Sequence, residues 1–201
     1  MACRILHVIT RLDKGGSAEN TILTVLGLPR ERYNVVLATG RTEGRDDPWR
    51  EMIEAAGVPV VEIPELVRNP APWNDLKAFF GLLRVISEGR YDLVHTHSSK
   101  AGILGRWAAW LAAVPVTVHT PHGHVFYGYF GRMRASLFLL AERLTALVTD
   151  RIITLTERGK WEHVRFGVGP PEKFVPIHSG VDLRKLAPMR GDPRGCRREL
   201  G

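Results

Sequence analysis

The chain has 201 residues, 44% of them hydrophobic and 24% charged, with a formal net charge of +7. That length fits one domain, or one and a fraction, and the balance of apolar to charged residues belongs to a globular chain able to bury a large core, which excludes a disordered protein. The longest apolar runs are too short and too often broken by arginine to span a bilayer, and the opening MACRILHVIT lacks a signal-peptide hydrophobic region with a small-residue cleavage site, so the expected location is the cytoplasm.

In chain order, RILHVI is a short apolar run that predicts a strand, followed by a helix from Ser17 in which Ile22, Leu23, Val25 and Leu26 share a face. Strand YNVVLAT, helix PWREMIEAAG, strand VPVVEI and helix WNDLKAFFGLLRVISEG come next. Strand YDLVHTH leads to helix KAGILGRWAAWLAA, and strand PVTVHT leads through the loop PHGHVFYG to a long helix around RASLFLLAERLTALV. Strand RIITL, helix TERGKWEHVRFG and strand KFVPI close the series. About seven near-continuous apolar strands separated by helices imply an α/β fold, a doubly wound and mainly parallel sheet with helices on both faces. Beyond it, residues 184–201 hold six basic groups against Asp192 and Glu199, which places four of the seven net charges in this tail. No arginine-rich helix with interleaved aromatics accompanies it, which argues against nucleic acid; an anionic small molecule or an anionic membrane surface suits the mild basic excess. Cys3 and Cys196 form neither a metal spacing nor a disulfide framework.

In such sheets ligands bind outside the carboxyl ends of the strands, so those ends carry the functional information. After the first strand comes TRLDKGGSAEN, where Gly15 and Gly16 allow close backbone approach and the helix behind them presents unpaired N–H groups, a ready site for phosphate. The spacing is neither a dinucleotide fingerprint nor a P-loop, and an ordinary tight turn is the other reading of the pair. After the fourth strand comes DLVHTHSSKAG, in which His95 and His97 point to the same side and Ser98 or Ser99 is expected to cap the next helix. The two histidines read equally as core residues bonded to backbone or as ligand contacts. After the fifth strand, His122 and His124 flank Gly123, where an imidazole could reach a substrate hydroxyl or phosphate. Five of the eight histidines lie between positions 95 and 124, which raises a metal site as a rival; no carboxylate follows His97 or His124 to complete one, so no metal is expected.

Four stretches, GGSAEN, DLVHTHSSKAGILGR, TPHGHVF and IHSGVD, together resemble the N-terminal domain of family 4 retaining glycosyltransferases of GT-B fold, over about residues 3 to 186. The resemblance implies a Rossmann-like, acceptor-side half over residues 3–183, with 184–201 a basic linker, containing Pro and Gly, that starts a C-terminal domain the chain lacks. It implies transfer of a hexosyl-type sugar, with retention, from a nucleotide sugar to a glycan or lipid-linked acceptor, with no cofactor and no metal. His122 matches the family histidine that contacts the donor sugar and helps organise the transition state; Gly15 and Gly16 match the loop that approaches the donor diphosphate, and His97, Lys100 and His124 complete the expected substrate-binding set. The paired glutamates, the diphosphate clamp and the base pocket belong to the C-terminal domain, so these residues alone are expected to be inactive. A stand-alone anion-binding or interaction module without catalysis is the alternative. At family level the resemblance points toward cell-envelope polysaccharide or glycolipid synthesis. The loop Val125, Phe126, Tyr127, Tyr129 and Phe130, beside Arg132 and Arg134, has the composition of a surface that rests on an anionic membrane, while Leu137, Phe138, Leu140, Leu144 and Leu147 behind it are expected to pack on the sheet.

Overall fold

The computed structural model describes residues 2–13, 15–41, 48–123 and 132–181. His124, the aromatic loop from Val125 to Phe130, the side chains of Arg132 and Arg134, and the 184–201 linker lie outside the described residues. In chain order the elements are β1 (Cys3–Ile9), α1 (Gly16–Gly27), β2 (Tyr33–Thr39), α2 (Pro48–Ala55), β3 (Val60–Glu62), α3 (Pro72–Gly89) and β4 (Leu93–His97). They continue with α4 (Ser99–Leu111), β5 (Val116–Thr120), α5 (Arg132–Ala146), β6 (Arg151–Thr154), α6 (Glu157–Arg165) and β7 (Phe174–Pro176). The seven strands form one sheet in the order β3-β2-β1-β4-β5-β6-β7, and every described pairing is parallel. The expected doubly wound α/β architecture is therefore the observed one.

Both faces of the central strands are covered, which is why these strands read as unbroken apolar runs rather than alternating ones. Along β1, Leu6 and Val8 face α3 and α4 and pack with Val94, Ala78, Leu82, Ile86, Ala101 and Ala108. Ile9 faces the other way, onto Ala18, Ile22 and Val25 of α1 and Ile53 of α2. Each such fully buried Leu, Ile or Val contributes about 1.5–3 kcal/mol relative to an exposed one. Local chemistry sets the helix ends. Pro72 opens α3, the Asp75 carboxylate accepts from the Ala71 N–H at 3.1 Å, and Arg90 closes the helix in the left-handed region at φ 47°. The Thr156 hydroxyl caps α6 by accepting from the Gly159 N–H at 2.9 Å.

Helix α4 lies close on the sheet because Gly102 has no side chain: a Cβ there would sit 2.5 Å from the His119 ring. One turn on, Arg106 is wholly buried, and its guanidinium donates to Gly102 O at 2.8 Å, Thr149 Oγ1 at 3.4 Å and Glu142 Oε2 at 2.8 Å. Trp107 Nε1 donates to Thr145 Oγ1 at 3.0 Å. These demands overturn the expected seat of α5. The helix turns Glu142 and Thr145 inward to satisfy α4, and Leu137, Leu140, Leu144 and Leu147 stand outward, 62, 51, 49 and 78% exposed. A buried cation outranks a leucine stripe, because an unpaired charge in the interior costs more than exposed apolar area.

Arg106→Ala should lower the free energy of unfolding by about 3–5 kcal/mol, since it strands Glu142 in the interior. Urea denaturation measures this, and the double replacement Arg106→Met/Glu142→Leu should recover most of the loss. A single variant as stable as the parent would mean that the pair does not seat α5.

Candidate functional site

The carboxyl ends of β1, β4 and β5 finish level with one another because Ile9 pairs with His97 and His97 pairs with Thr120. Beyond those ends the chain leaves ordinary backbone geometry at two non-glycine positions, Ser98 at φ 63° and His122 at φ 57°. Left-handed residues of this kind cost energy and cluster at functional sites. Ser98 occupies the N-cap position of α4 but makes no side-chain cap, contrary to expectation. Its hydroxyl is instead 3.0 Å from the Thr10 hydroxyl, and Thr10 Oγ1 accepts from the Ala101 N–H at 3.3 Å. Thr10, at the end of β1, thus supplies the cap and ties β1 to α4.

Gly15 and Gly16 stand at the first strand-to-helix turn. Gly15 is extended at φ 169°, which any residue adopts. A Cβ on Gly16 would meet nothing within 4 Å, and one on Gly15 only an ordinary contact at 3.9 Å. The turn itself therefore does not require glycine. Helix α1 opens here without a side-chain cap, so its first N–H groups face outward at a bare rim.

Histidines dominate the interior behind this rim. His7 and His95 sit side by side across β1 and β4, with His97 two residues further along on the same face. All three are buried, and their rings lie 4.2–5.3 Å apart centre to centre. His7 Nδ1 lies 3.0 Å from His97 Nε2, and His97 Nδ1 lies 3.0 Å from His122 Nε2. His95 Nε2 meets Thr120 Oγ1 at 2.8 Å. His119 faces the opposite side of the sheet, where Nδ1 meets Thr96 Oγ1 at 3.0 Å. At the outer end of the line, His122 Nδ1 has no partner, although it is shielded from water. Burial pushes His7 and His122 down to about 4. It also holds His95, His97 and His119 well below the usual imidazole value, with unfavourable coupling to neighbouring imidazoles and, for His119, the charge of Arg106 adding to it.

This geometry sorts the expected site residues. His122 is at the mouth, and with Gly123 it lines a cavity of about 350 Å³ shared with Thr154 at the end of β6, Thr156 at the N-cap of α6, and Arg158 and Glu162 within α6. His97 is wholly buried with both nitrogens engaged by other imidazoles, so it stands behind His122 instead of meeting a ligand directly. Lys100 is also turned inward: its ammonium pairs with Asp75 Oδ1 at 2.5 Å and donates to Asn69 O, which binds α4 to α3. The sequence reading missed His7 and the α6 wall. His7 lies within an unbroken apolar run and carries no motif, and only the strand order, with β1 beside β4, brings it to the cluster. Among the described residues, His7, His95 and His97 each offer a nitrogen within 4.8 Å of the others, the spacing a metal ion would need. Within this group His7 Nδ1 is already bonded to His97 Nε2.

A family profile described as "Glycosyl transferase 4-like domain" matches residues 15–180. A UDP-Gal:alpha-D-GlcNAc-diphosphoundecaprenol alpha-1,3-galactosyltransferase of Escherichia coli is 35% identical over 167 residues, which is 82% of this chain and 42% of that protein. Among solved structures, a glycosyltransferase from Rickettsia africae superposes with a TM-score of 0.64 at 17% identity, over 98% of this chain and 48% of its own. A UDP-GlcNAc 2-epimerase from Neisseria meningitidis, bound to UDP-GlcNAc, superposes with a TM-score of 0.61 at 12% identity, over 86% of this chain and 46% of its own. The two structural likenesses show a shared fold. The chain spans less than half the length of each of these proteins.

The neutral histidine cluster has a consequence for stability. An unfolded histidine takes up a proton near pH 6.5, whereas folded His7 and His122 do so only near pH 4. Between those values the unfolded chain holds more protons, so stability falls as the pH drops through the window, by up to about 1.4 kcal/mol per pH unit for each such histidine. Urea midpoints should be steady above about pH 7 and fall steeply from about pH 6.5 to 5. A flat profile across that range would show that the cluster is not held neutral.

Proposed function

Because the chain belongs to the glycosyl transferase 4-like family, we propose that it forms the acceptor-side half of a retaining transferase that moves a hexosyl group from a nucleotide sugar to a glycan or lipid-linked acceptor. The observation that carries the reading is His122: a strained residue at the end of β5 whose ring nitrogen Nδ1 is shielded from water, without a partner, beside an open cavity. An unpaired polar atom there costs about 1–3 kcal/mol, which an oxygen-bearing ligand would offset.

In this reading the acceptor hydroxyl oxygen bonds to the anomeric carbon as the bond from that carbon to the diphosphate oxygen breaks. The diphosphate leaves with the electron pair and takes the acceptor's proton. Charge develops on the leaving group and on an oxocarbenium-like sugar, so the site's task is electrostatic. The bare start of α1 behind Gly15 and Gly16 offers N–H groups and a positive dipole end to the diphosphate. His122 stays uncharged at neutral pH because burial holds it near 4, and it meets the sugar as a neutral group. The rest of the donor contacts belong to a second half, and transfer requires both. No metal takes part. The E. coli relative's diphosphoundecaprenol acceptor supports a lipid-linked substrate, drawn from an anionic membrane face on which the outward leucines of α5 would rest.

In the polypeptide carrying both halves, His122→Ala should lower turnover by about two to four powers of ten while leaving the fold intact. Transfer of radiolabelled hexose from its UDP-sugar measures this, with the lipid-linked acceptor presented in anionic vesicles and, in parallel, as a short-chain soluble analogue. Chelation should leave the rate unchanged, and vesicles should raise it. Activity of His122→Ala within threefold of the parent would remove His122 from the site, and equal rates on both acceptors would remove the membrane contact.

A further inference from the structure

We infer that His7 and His97 are positioning residues that fix the tautomer of His122, so that His122 presents an N–H donor at Nδ1 to whatever occupies the cavity. A neutral imidazole has one donor nitrogen and one acceptor nitrogen. Within the line from His7 to His97 to His122, both gaps are 3.0 Å and both nitrogens of His97 are used. The direction of one hydrogen bond therefore dictates the direction of the other, and only two arrangements exist. In the first, His7 Nδ1–H donates to His97 Nε2, His97 Nδ1–H donates to His122 Nε2, and His122 carries its hydrogen on Nδ1. In the second, every bond is reversed and His122 Nδ1 is a bare lone pair.

The inner end of the line decides between them. His7 Nε2 is buried and has no partner. The second arrangement places an N–H there, an orphaned buried donor, which proteins avoid more strictly than an under-satisfied acceptor. The first leaves a lone pair at His7 Nε2 and moves the unpaired N–H to His122 Nδ1, on a residue that lines the cavity, where an entering ligand can accept from it. His95 does not disturb the line, because its Nε2 is engaged by Thr120 Oγ1 at 2.8 Å. A proton added at His122 cannot drain inward, since relaying it would put a full charge on wholly enclosed His7. The line therefore works as a fixed support and not as a proton path. The outer N–H suits an oxygen acceptor, a sugar hydroxyl or a phosphate oxygen, and does not suit a group that must give up a proton. The ligand class rests on the reading of His122 given above; the tautomer does not.

The test is a long-range nitrogen–proton correlation spectrum of the 201-residue chain with its histidines labelled with nitrogen-15, recorded without substrate near pH 7.5. His7, His97 and His122 should all be neutral with the hydrogen on Nδ1, and couplings across the hydrogen bonds should join His7 Nδ1 to His97 Nε2 and His97 Nδ1 to His122 Nε2. His97→Phe removes the group that donates to His122 Nε2 and should release His122 toward the Nε2–H form, with loss of its Nδ1–H signal. If that variant fails to fold, the parent spectrum still decides. Hydrogen on Nε2 of His122 in the parent, an unchanged His122 tautomer in folded His97→Phe, or one equivalent of zinc that binds and abolishes the His7–His97 coupling would each overturn the inference. Because no substrate is present, failure here leaves the transferase reading standing, and failure of transfer leaves the tautomer assignment standing.

Discussion

The level register of β1, β4 and β5 is the constraint on which the rest depends. With Ile9 opposite His97 and His97 opposite Thr120, three strand ends reach one rim together. Parallel pairing turns those ends the same way, so the loops that follow them share a mouth. Move β4 by one residue and its histidines pass to the other face of the sheet, away from His7. The Thr10 hydroxyl, bonded to that of Ser98 and accepting from the Ala101 N–H, locks that register from above, and the bond between His7 and His97 locks it from below.

The same register explains why an interior should hold so many imidazoles. A buried histidine is tolerable when it is neutral and its polar nitrogens find partners. Here the partners are other histidines and threonines: His97 is satisfied at both nitrogens, His95 by Thr120 and His119 by Thr96. Three buried histidine nitrogens are left over among the described residues, one of them His119 Nε2 on the other face of the sheet. Among the line's members, the inner one is His7 Nε2 and the outer one is His122 Nδ1, beside the cavity. Two of the four non-glycine residues with positive φ among the described residues, Ser98 and His122, stand at the same rim, and a fold keeps such strain where the surrounding packing holds it in place.

Much of this was legible in the sequence. The strands were readable as apolar runs bounded by turns, because strands buried on both faces need no alternation, and the sheet follows from strands and helices that alternate. His122 stood out because two histidines and two glycines in a short loop make poor core and poor turn alike. His7 was hidden, since a single histidine in RILHVI has meaning only once β1 is known to lie beside β4. His97 and Lys100 face inward, a matter of which neighbours claim their nitrogens. Helix α5 was misread for a related reason. Its leucine spacing announces an apolar face, but nothing within α5 reports that α4 buries an arginine demanding Glu142. Ser98 has the composition of a cap, and only its left-handed backbone removes it from that role.

The central claim is that this rim is shaped for a ligand and not for the chain's own turns, and Gly16 tests it most directly. Its position would accept a side chain without a clash in the folded chain; on the proposed reading, its lack of one leaves room for the donor diphosphate. Gly16→Val should therefore leave the thermal midpoint within a few degrees of the parent while sharply reducing nucleotide-sugar use by the polypeptide carrying both halves. A variant that lost stability and activity in equal measure, or one that kept full activity, would contradict the account.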